Sequence, residues 1–542
     1  MRFQHFSRGF SLFIFLLLMI AAISGWLTST PLNFFLRLDP ALATTSVISG
    51  RYFLAAFIPA LVVLLLTVLL GRFFCGHICP MGTTLDISDS LFCPSTRQAV
   101  NSAALRKIKY LLLFFLLFAA LFGISLIFWA TPLGLITRFY GLLIQPLLAT
   151  LGSALLDAGH PFFEWLDISS LLFIDLQTPQ FSTQLFILVF FIALAGFARL
   201  TPRFWCRYLC PAGALMALAS AKPFVRRHVS DGCTQCGECV HSCPMSAIDA
   251  EDSQLTAFDE CIVCLKCETV CPEGVVSFTT AGKDPAIKHT VLSISRRSFL
   301  STAAVGSCTA LIGQPDLNAA TLPLRPPAAV PEASFLARCI RCGECMLACP
   351  TNTLQPVWLE AGFYGMFSPT LTPRIGFCDP NCHQCADVCP TDAIRALDPL
   401  ERVWAKTGTA TIAKDHCLAW EQQKNCMVCD EVCPFDAIEF ASVDGNPVTV
   451  PFVREDRCAG CGYCEYHCPV KSPVAIAVSA SGALRLSNRS YKDTAKKAGL
   501  HLSLDTSRQP SGAPESQYPG KKGGATGFDD ESQDSVAPGF TE

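Results

Sequence analysis

The sequence predicts a membrane α-helical module, four transmembrane helices plus a signal-type helix, joined to small cysteine-rich α+β domains. Three observations predict it. Hydrophobic residues make up 51% of the 542 and charged residues only 16%, well below the usual share of about a quarter. The long apolar runs fall in residues 1–230 with five of the 30 cysteines, while the other 25, Cys308 and 24 in motifs, crowd into 231–470. Those later cysteines recur in sets of nearly constant spacing. A net charge of -3 excludes a strongly basic nucleic-acid binder. The cysteine count excludes indifference to redox or metal chemistry.

Four stretches read as spans. Gly9 to Leu36 carries no charge, Tyr52–Gly71 is an uncharged run of 20 residues, and Tyr110–Trp129 and Leu185–Ala198 follow. About 20 apolar residues cross the hydrocarbon as a helix. No small-residue cleavage site follows the first, so it reads as a span rather than a secretory signal peptide. Basic residues orient the module: Arg2 and Arg8 precede span one, Arg72, Arg97, Arg106, Lys107 and Lys109 separate spans two and three, and Arg199, Arg203 and Arg207 follow span four. The loop 131–181 sets Arg138 against Asp157, Glu164, Asp167 and Asp175. The positive-inside rule then puts both ends of the module in the cytoplasm. Residues 139–156 read as an interfacial or re-entrant segment broken at Pro146, not as a fifth span. No histidine lies inside a span and no charged residue lies in a span core, so neither a haem held by membrane histidines nor an ion pump is expected.

The cysteine sets come next. Cys233, Cys236, Cys239 and Cys243 are followed by Cys261, Cys264, Cys267 and Cys271, each set spaced C-x2-C-x2-C-x3-C-P. This is the bacterial ferredoxin run. Three thiolates on one tight loop grip one cubane, and the fourth serves the neighbouring cluster. Cys233, Cys236, Cys239 and Cys271 are therefore expected on one [4Fe–4S] cluster, and Cys261, Cys264, Cys267 and Cys243 on the other. Cys339, Cys342, Cys345 and Cys349 repeat the spacing, as do Cys458, Cys461, Cys464 and Cys468. Cys378, Cys382, Cys385 and Cys389 widen the first gap by one residue, and Cys417, Cys426, Cys429 and Cys433 widen it to eight. All six sets end in Cys-Pro, a form that neither disulfides nor zinc sites require. Six [4Fe–4S] clusters in α+β bacterial ferredoxin-like domains are the expectation. Two shorter motifs, Cys75-x3-Cys79-Pro80 and Cys206-x3-Cys210-Pro211, sit just past spans two and four. They read either as structural thiol pairs or as two halves of one metal or redox site, with Cys93 nearby as a spare.

Ser295-Arg296-Arg297-Ser298-Phe299-Leu300 matches a twin-arginine signal, followed by an apolar stretch to Gly313 and a linker with Pro315, Pro323, Pro326, Pro327 and Pro331. That pathway carries folded cargo, which suits domains loaded with clusters before export. Cys308 reads as a buried free thiol. Beyond about residue 485 the chain is polar and rich in Gly, Ser and Pro, the composition of a disordered tail. The domains are thus expected at 1–215 (membrane), 225–285 (two clusters, cytoplasmic), 290–334 (signal and linker), 335–480 (four clusters, periplasmic) and 485–542 (tail).

Residues 1–280 resemble the NapH/MauN membrane ferredoxins, with four spans, two CxxxCP motifs and two ferredoxin motifs in that order. Residues 290–475 resemble the NapG/MauM exported ferredoxins in the SRRSFL signal, the four cluster motifs, Leu354-Gln355-Pro356 and the run Pro373–Cys378. The chain looks like both partners fused. The resemblance implies a bacterial inner-membrane protein that takes electrons from the quinol pool, as a quinol dehydrogenase would. It would pass them through the clusters to a periplasmic redox protein or reductase, such as a nitrate reductase chain. It equally allows an electron-supplying maturation factor for a periplasmic redox enzyme. It also implies ligand exchange between the two outer motifs and between the two inner ones: Cys339, Cys342 and Cys345 with Cys468; Cys458, Cys461 and Cys464 with Cys349; Cys378, Cys382 and Cys385 with Cys433; Cys417, Cys426 and Cys429 with Cys389. No GxGxxG fingerprint points to direct nicotinamide oxidation.

Overall fold

The computed structural model describes residues 2–24, 33–92, 103–165, 178–197, 199–280, 294–312, 322–358 and 360–504. Cys93, Arg97, Asp167, Asp175, Pro315 and the tail from 505 lie outside them. The first part is helical: α1 (Arg2–Ser24), α2 (Phe34–Arg37), α3 (Pro40–Gly50), α4 (Ile58–Leu70), α5 (Phe73–His77), α6 (Pro80–Phe92), α7 (Ala103–Leu121), α8 (Pro132–Arg138), α9 (Gln145–Trp165), α10 (Gln184–Phe197), α11 (Phe204–Tyr208) and α12 (Pro211–Ala219). A later helix, α13 (Arg296–Ile312), covers the twin-arginine motif and its apolar stretch. Local chemistry starts these helices as expected. Asp39 caps α3 by accepting from the amides of Ala41 (2.9 Å) and Leu42 (3.2 Å), with Pro40 in the first turn.

Two cysteine-rich units sit at opposite ends of these helices. At one end, Glu260 of the 225–280 unit meets Lys109 (2.6 Å) and Arg72 (3.2 Å), all buried. Arg106 donates to the carbonyls of Met245 and Ser246, and Arg207 to that of Pro244. At the other end, Ser49 donates to the Ala337 carbonyl (2.7 Å), Arg341 to Ser125 (2.7 Å), Asn33 to Val388 (2.8 Å) and Gln355 to Gln180 (3.0 Å). Helix α13 runs between the same ends. It starts beside the cluster of Tyr110 and Ala214 and finishes where the Tyr364 hydroxyl donates to the Thr309 carbonyl. Along the way Phe299 packs edge-on against Phe114 and Phe118 of α7.

Four spans plus a signal helix were expected. Among the described residues, one helix is long and apolar enough to cross a membrane by length and composition, Pro132–Pro161. Phe6–Ala21, Ala55–Leu70 and Gln184–Phe197 are apolar but shorter. The long helix corrects the reading of 139–156 as a broken segment. Helix α8 continues through a π-helical turn, Phe139–Ile144, directly into α9. Pro146 cannot donate its amide, and its ring would meet the carbonyl four residues back. The widened turn just ahead of it absorbs both problems, so the helix is not interrupted.

Each cysteine-rich unit is closed by strands from its two ends. Val225–Val229 pairs antiparallel with Val276–Thr280 around the first two sets. Thr409–Ile412 pairs with Ile476–Ser479 around the last two. Ala329 bridges Ile394 around the third and fourth. The expected boundaries at 335 and 480 need correction. Arg325, in the supposed linker, is buried against Glu332, Ser368 and the Pro369 carbonyl. In the supposed tail, Tyr491 and Leu502 are buried and Arg485 pairs with Glu332 (2.8 Å). A polar composition hid a few anchoring side chains. The packing of the last unit thus extends at least from Pro323 to Leu502, and its described residues are 322–358 and 360–504.

Candidate metal centres

The regular cysteine loops share one backbone device. The residue before the second cysteine and the residue after it both take left-handed conformations: Gln235 and Gly237, Val263 and Leu265, Arg341 and Gly343, Gly460 and Gly462. Two such turns wrap three thiols around a common space. Three small cavities lie at such loops, and one more lies at the irregular 417 set. Cys261, Cys264 and Cys267 share one with Cys243. Cys339, Cys342 and Cys345 share another with Cys389. Cys417, Cys426 and Cys429 share a third with Cys468, and Cys458, Cys461 and Cys464 a fourth with Cys433. Cys349 stands close enough to Cys378, Cys382 and Cys385 for its charge to act on each thiol. Cys239 neighbours Cys233 and Cys236 and packs in one cluster with Cys271.

Cys243 thus lines the cavity of the set that follows it, whereas in the later four motifs the cavities join each outer motif with the inner one beside it, not outer with outer and inner with inner. Sets pair with their sequence neighbours, because the strands closing each unit enclose consecutive sets.

The donor chemistry fits [4Fe–4S] clusters. Burial pushes the thiols of Cys267, Cys382 and Cys429 up to about 12, so each would carry its charge only beside a bound cation. Among the described residues no three His, Cys, Asp or Glu side chains converge on a single-ion site. The thiols instead face a shared cavity, as the corners of a cluster require. Donors aim at several sulfurs: Arg402 at Cys378 (3.1 Å), Arg227 at Cys239 (3.4 Å), and the amides of Ala247 and Ala437 at Cys243 and Cys433. Neither arginine lies in a motif, so spacing could not reveal them.

The two CxxxCP motifs do meet. Cys79 lies within charge range of Cys75 and Cys206, and Cys210 of Cys206, Cys75 and Cys79. The Cys75 sulfur is 3.5 Å from that of Met216. Cys75 and Cys206 also pack around Ile262 and Met245 together with Cys243, Cys261 and Cys264, so this site abuts the 261 set. Gly76 permits the contact, since a Cβ there would run into the Ile262 carbonyl. On the other side, Arg138 lies within charge range of Cys342. Leu142 touches Gly343, and Gly141 leaves room for Leu347. In the last unit the sets also lie in sequence. Cys385 acts on Cys345, the Cys378 amide donates to the Cys461 carbonyl (2.8 Å), and Cys429 acts on Cys464. Cys308 is exposed on α13 rather than buried.

Comparison with known proteins bears on the same segments. A 4Fe-4S binding domain model matches residues 52–93 and 183–230, and 4Fe-4S dicluster domain models match 232–276 and 424–472. Another 4Fe-4S binding domain model matches 336–355. Among curated proteins, the chain is 34% identical over 184 residues to the ferredoxin-type protein NapG of Escherichia coli, covering 32% of this chain and 76% of that one. It is 37% identical over 154 residues to the methylamine utilization ferredoxin-type protein MauM of Methylorubrum extorquens, 27% of this chain and 67% of the relative. It is also 30% identical over 301 residues to the putative electron transport protein YccM of Escherichia coli, 54% and 72% of the two chains.

Proposed function

The chain belongs to the ferredoxin-type [4Fe–4S] electron-transfer proteins that include NapG and MauM, and on that premise we propose that it is a fused conduit carrying electrons from membrane quinol to a redox partner on the far side. When bound, [4Fe–4S] clusters supply one-electron exchange. The cysteines would hold six of them: Cys233, Cys236, Cys239 and Cys271; Cys261, Cys264, Cys267 and Cys243; Cys339, Cys342, Cys345 and Cys389; Cys378, Cys382, Cys385 and Cys349; Cys458, Cys461, Cys464 and Cys433; Cys417, Cys426, Cys429 and Cys468. Cys75, Cys79, Cys206 and Cys210 would hold a seventh redox centre between the two arms. The long helix Pro132–Pro161 would cross the membrane beside the shorter helices α1, α4, α7, α10 and α13, with the 225–280 unit inside and the 322–504 unit outside. The apolar stretches of these shorter helices are short for a span, and the buried segments packed among them would make up the thickness of the module.

One observation carries this reading. Along α1, Arg8 donates to the Gly76 carbonyl and Ser11 to that of Ile78, while Phe15 packs on Tyr140. At 1.5 Å per residue these levels differ by about 10 Å. The four-thiol site and the helix that touches the Cys342 loop are therefore close neighbours, and an inner arm and an outer arm share one short crossing. The test is anaerobic reduction of the full chain in membrane vesicles. Iron analysis should give roughly 24 to 28 irons per chain, and quinol should bleach the cluster absorbance. A Cys75→Ser/Cys79→Ser protein should insert normally but stop electron flow between the arms. Full iron loading with no reduction by quinol would turn the reading toward the maturation role.

A further inference from the structure

A cavity of about 1080 Å³ opens between α6, the π-turn, α9 and α10. It is larger than the usual small-molecule pocket of about 300–1,000 Å³. Its walls run from Met81, two residues past Cys79, to Gln355 and Ile375 of the outer unit. Ile375 precedes Cys378 by three residues. The lining is apolar with few polar groups. The Tyr140 and Thr84 hydroxyls bond each other at 3.1 Å. Ser88 Oγ and Gln355 Oε1 are buried and find no partner. Gln355 is 3% exposed, and its amide nitrogen is held by the carbonyls of Gln180 and Asn352. The nitrogen is held in the cavity wall, and the oxygen is left buried and unpaired just behind it, within reach of an occupant once the wall side chains shift. An orphaned buried acceptor is destabilising, so an occupant that donates to it is favoured.

Resting on the electron-donor reading above, we propose that this cavity is the quinol site. One ring hydroxyl would donate to Gln355 Oε1, and the prenyl tail would lie along Leu143, Leu147, Leu188 and Ile192. The chemistry balances. Two O–H bonds break as the ring is oxidised to the quinone. Two protons go to water at the mouth formed by exposed Gln180 and Ser182. Two electrons pass singly to the iron–sulfur centres, which are reduced. The cavity's position supports this assignment, since its lining begins two residues past Cys79 at one end and reaches Ile375, three residues before Cys378, at the other. A lipid acyl chain could fill the apolar part but has no donor for Gln355.

The experiment uses the full chain in lipid nanodiscs, with duroquinol as reductant, dithionite as control and a photoreactive azido-quinone as probe. In stopped flow, Leu143→Trp, which narrows the cavity beside Tyr140, and Gln355→Leu, which removes the acceptor, should each cut duroquinol-driven bleaching at least tenfold. Dithionite bleaching and iron content should match the parent. A smaller loss in Leu143→Trp at full iron content overturns the site and leaves a lipid as the occupant. If duroquinol fails to reduce the parent as well, the donor reading falls instead. The label then decides the cavity separately: cross-links on α6, α9 or α10 keep it as a quinone site, and cross-links elsewhere or none remove it.

Discussion

Arg402 shows how single side chains tune these centres. It is buried, donates to the Cys378 sulfur at 3.1 Å, and is fixed by the carbonyls of Cys382 (3.0 Å) and Asp379 (3.3 Å). A cation bonded to a ligand sulfur favours the more negative, reduced state of the centre. A hydrogen bond to a charged group is worth about 1.5–3 kcal/mol. If part of that differs between oxidation states, Arg402→Leu should lower the potential of the Cys349–Cys378 centre by on the order of 50 mV. An EPR redox titration at unchanged iron content would read it, and an unmoved potential would deny Arg402 the role. Glu260 carries a structural burden of the same scale. It neutralises two buried cations, Lys109 and Arg72. Glu260→Gln should cost about 3–5 kcal/mol, because both cations stay buried without their anion. Limited proteolysis should then release the 225–280 unit from the helices. Of these residues only the cysteines were legible in the sequence, since spacing marks ligands and leaves their hydrogen-bond donors unmarked.

At the scale of elements, the apolar runs were legible because helix formation needs only composition and length. What they do in space was not. The π-turn ahead of Pro146 is a local repair, and proline by itself reads as a break. The pairing of cysteine sets was legible for 233–271, where strands close the unit directly around two motifs. It was misread for 339–468, because which strands pair is a long-range fact. Helix α13 makes a sharper case. Its SRRSFL start reads as an export signal, yet the helix lies along α7 as a built part of the bundle. A Cβ on Gly306 would sit 3.0 Å from the Phe115 carbonyl and 3.1 Å from Phe118 Cβ. Gly306→Leu should push the two helices apart and cost about 1–3 kcal/mol, as overpacking does. Thermal unfolding of the purified protein should fall accordingly. A melting point equal to the parent's would mean that α13 is not held against α7.

For the whole molecule, the order of the cysteine sets makes the most exposed claim. From the four-thiol site outward, contacts link the Cys342 loop to Cys385, Cys378 to Cys461, and Cys464 to Cys429. The set that includes Cys417, Cys426 and Cys429 therefore ends the series. Its widened gap forms an exposed loop from Glu421 to Asn425, and Met427 beside it is 48% exposed. Electron delivery to a partner should pass this loop. In a series, a lesion at the end differs from one at the start. Cys426→Ser/Cys429→Ser should remove roughly four irons and abolish reduction of the partner protein. It should leave the other centres of the outer unit reducible by quinol. Cys75→Ser/Cys79→Ser should separate the 225–280 unit from the rest while the outer centres remain reducible by dithionite. If instead the Cys426/Cys429 protein still reduces its partner at the parent rate, electrons leave elsewhere and the linear order fails. If spheroplast proteolysis cuts the 225–280 unit as readily as the 322–504 unit, the two arms do not lie on opposite faces. A series through the membrane is then excluded even if every centre is loaded.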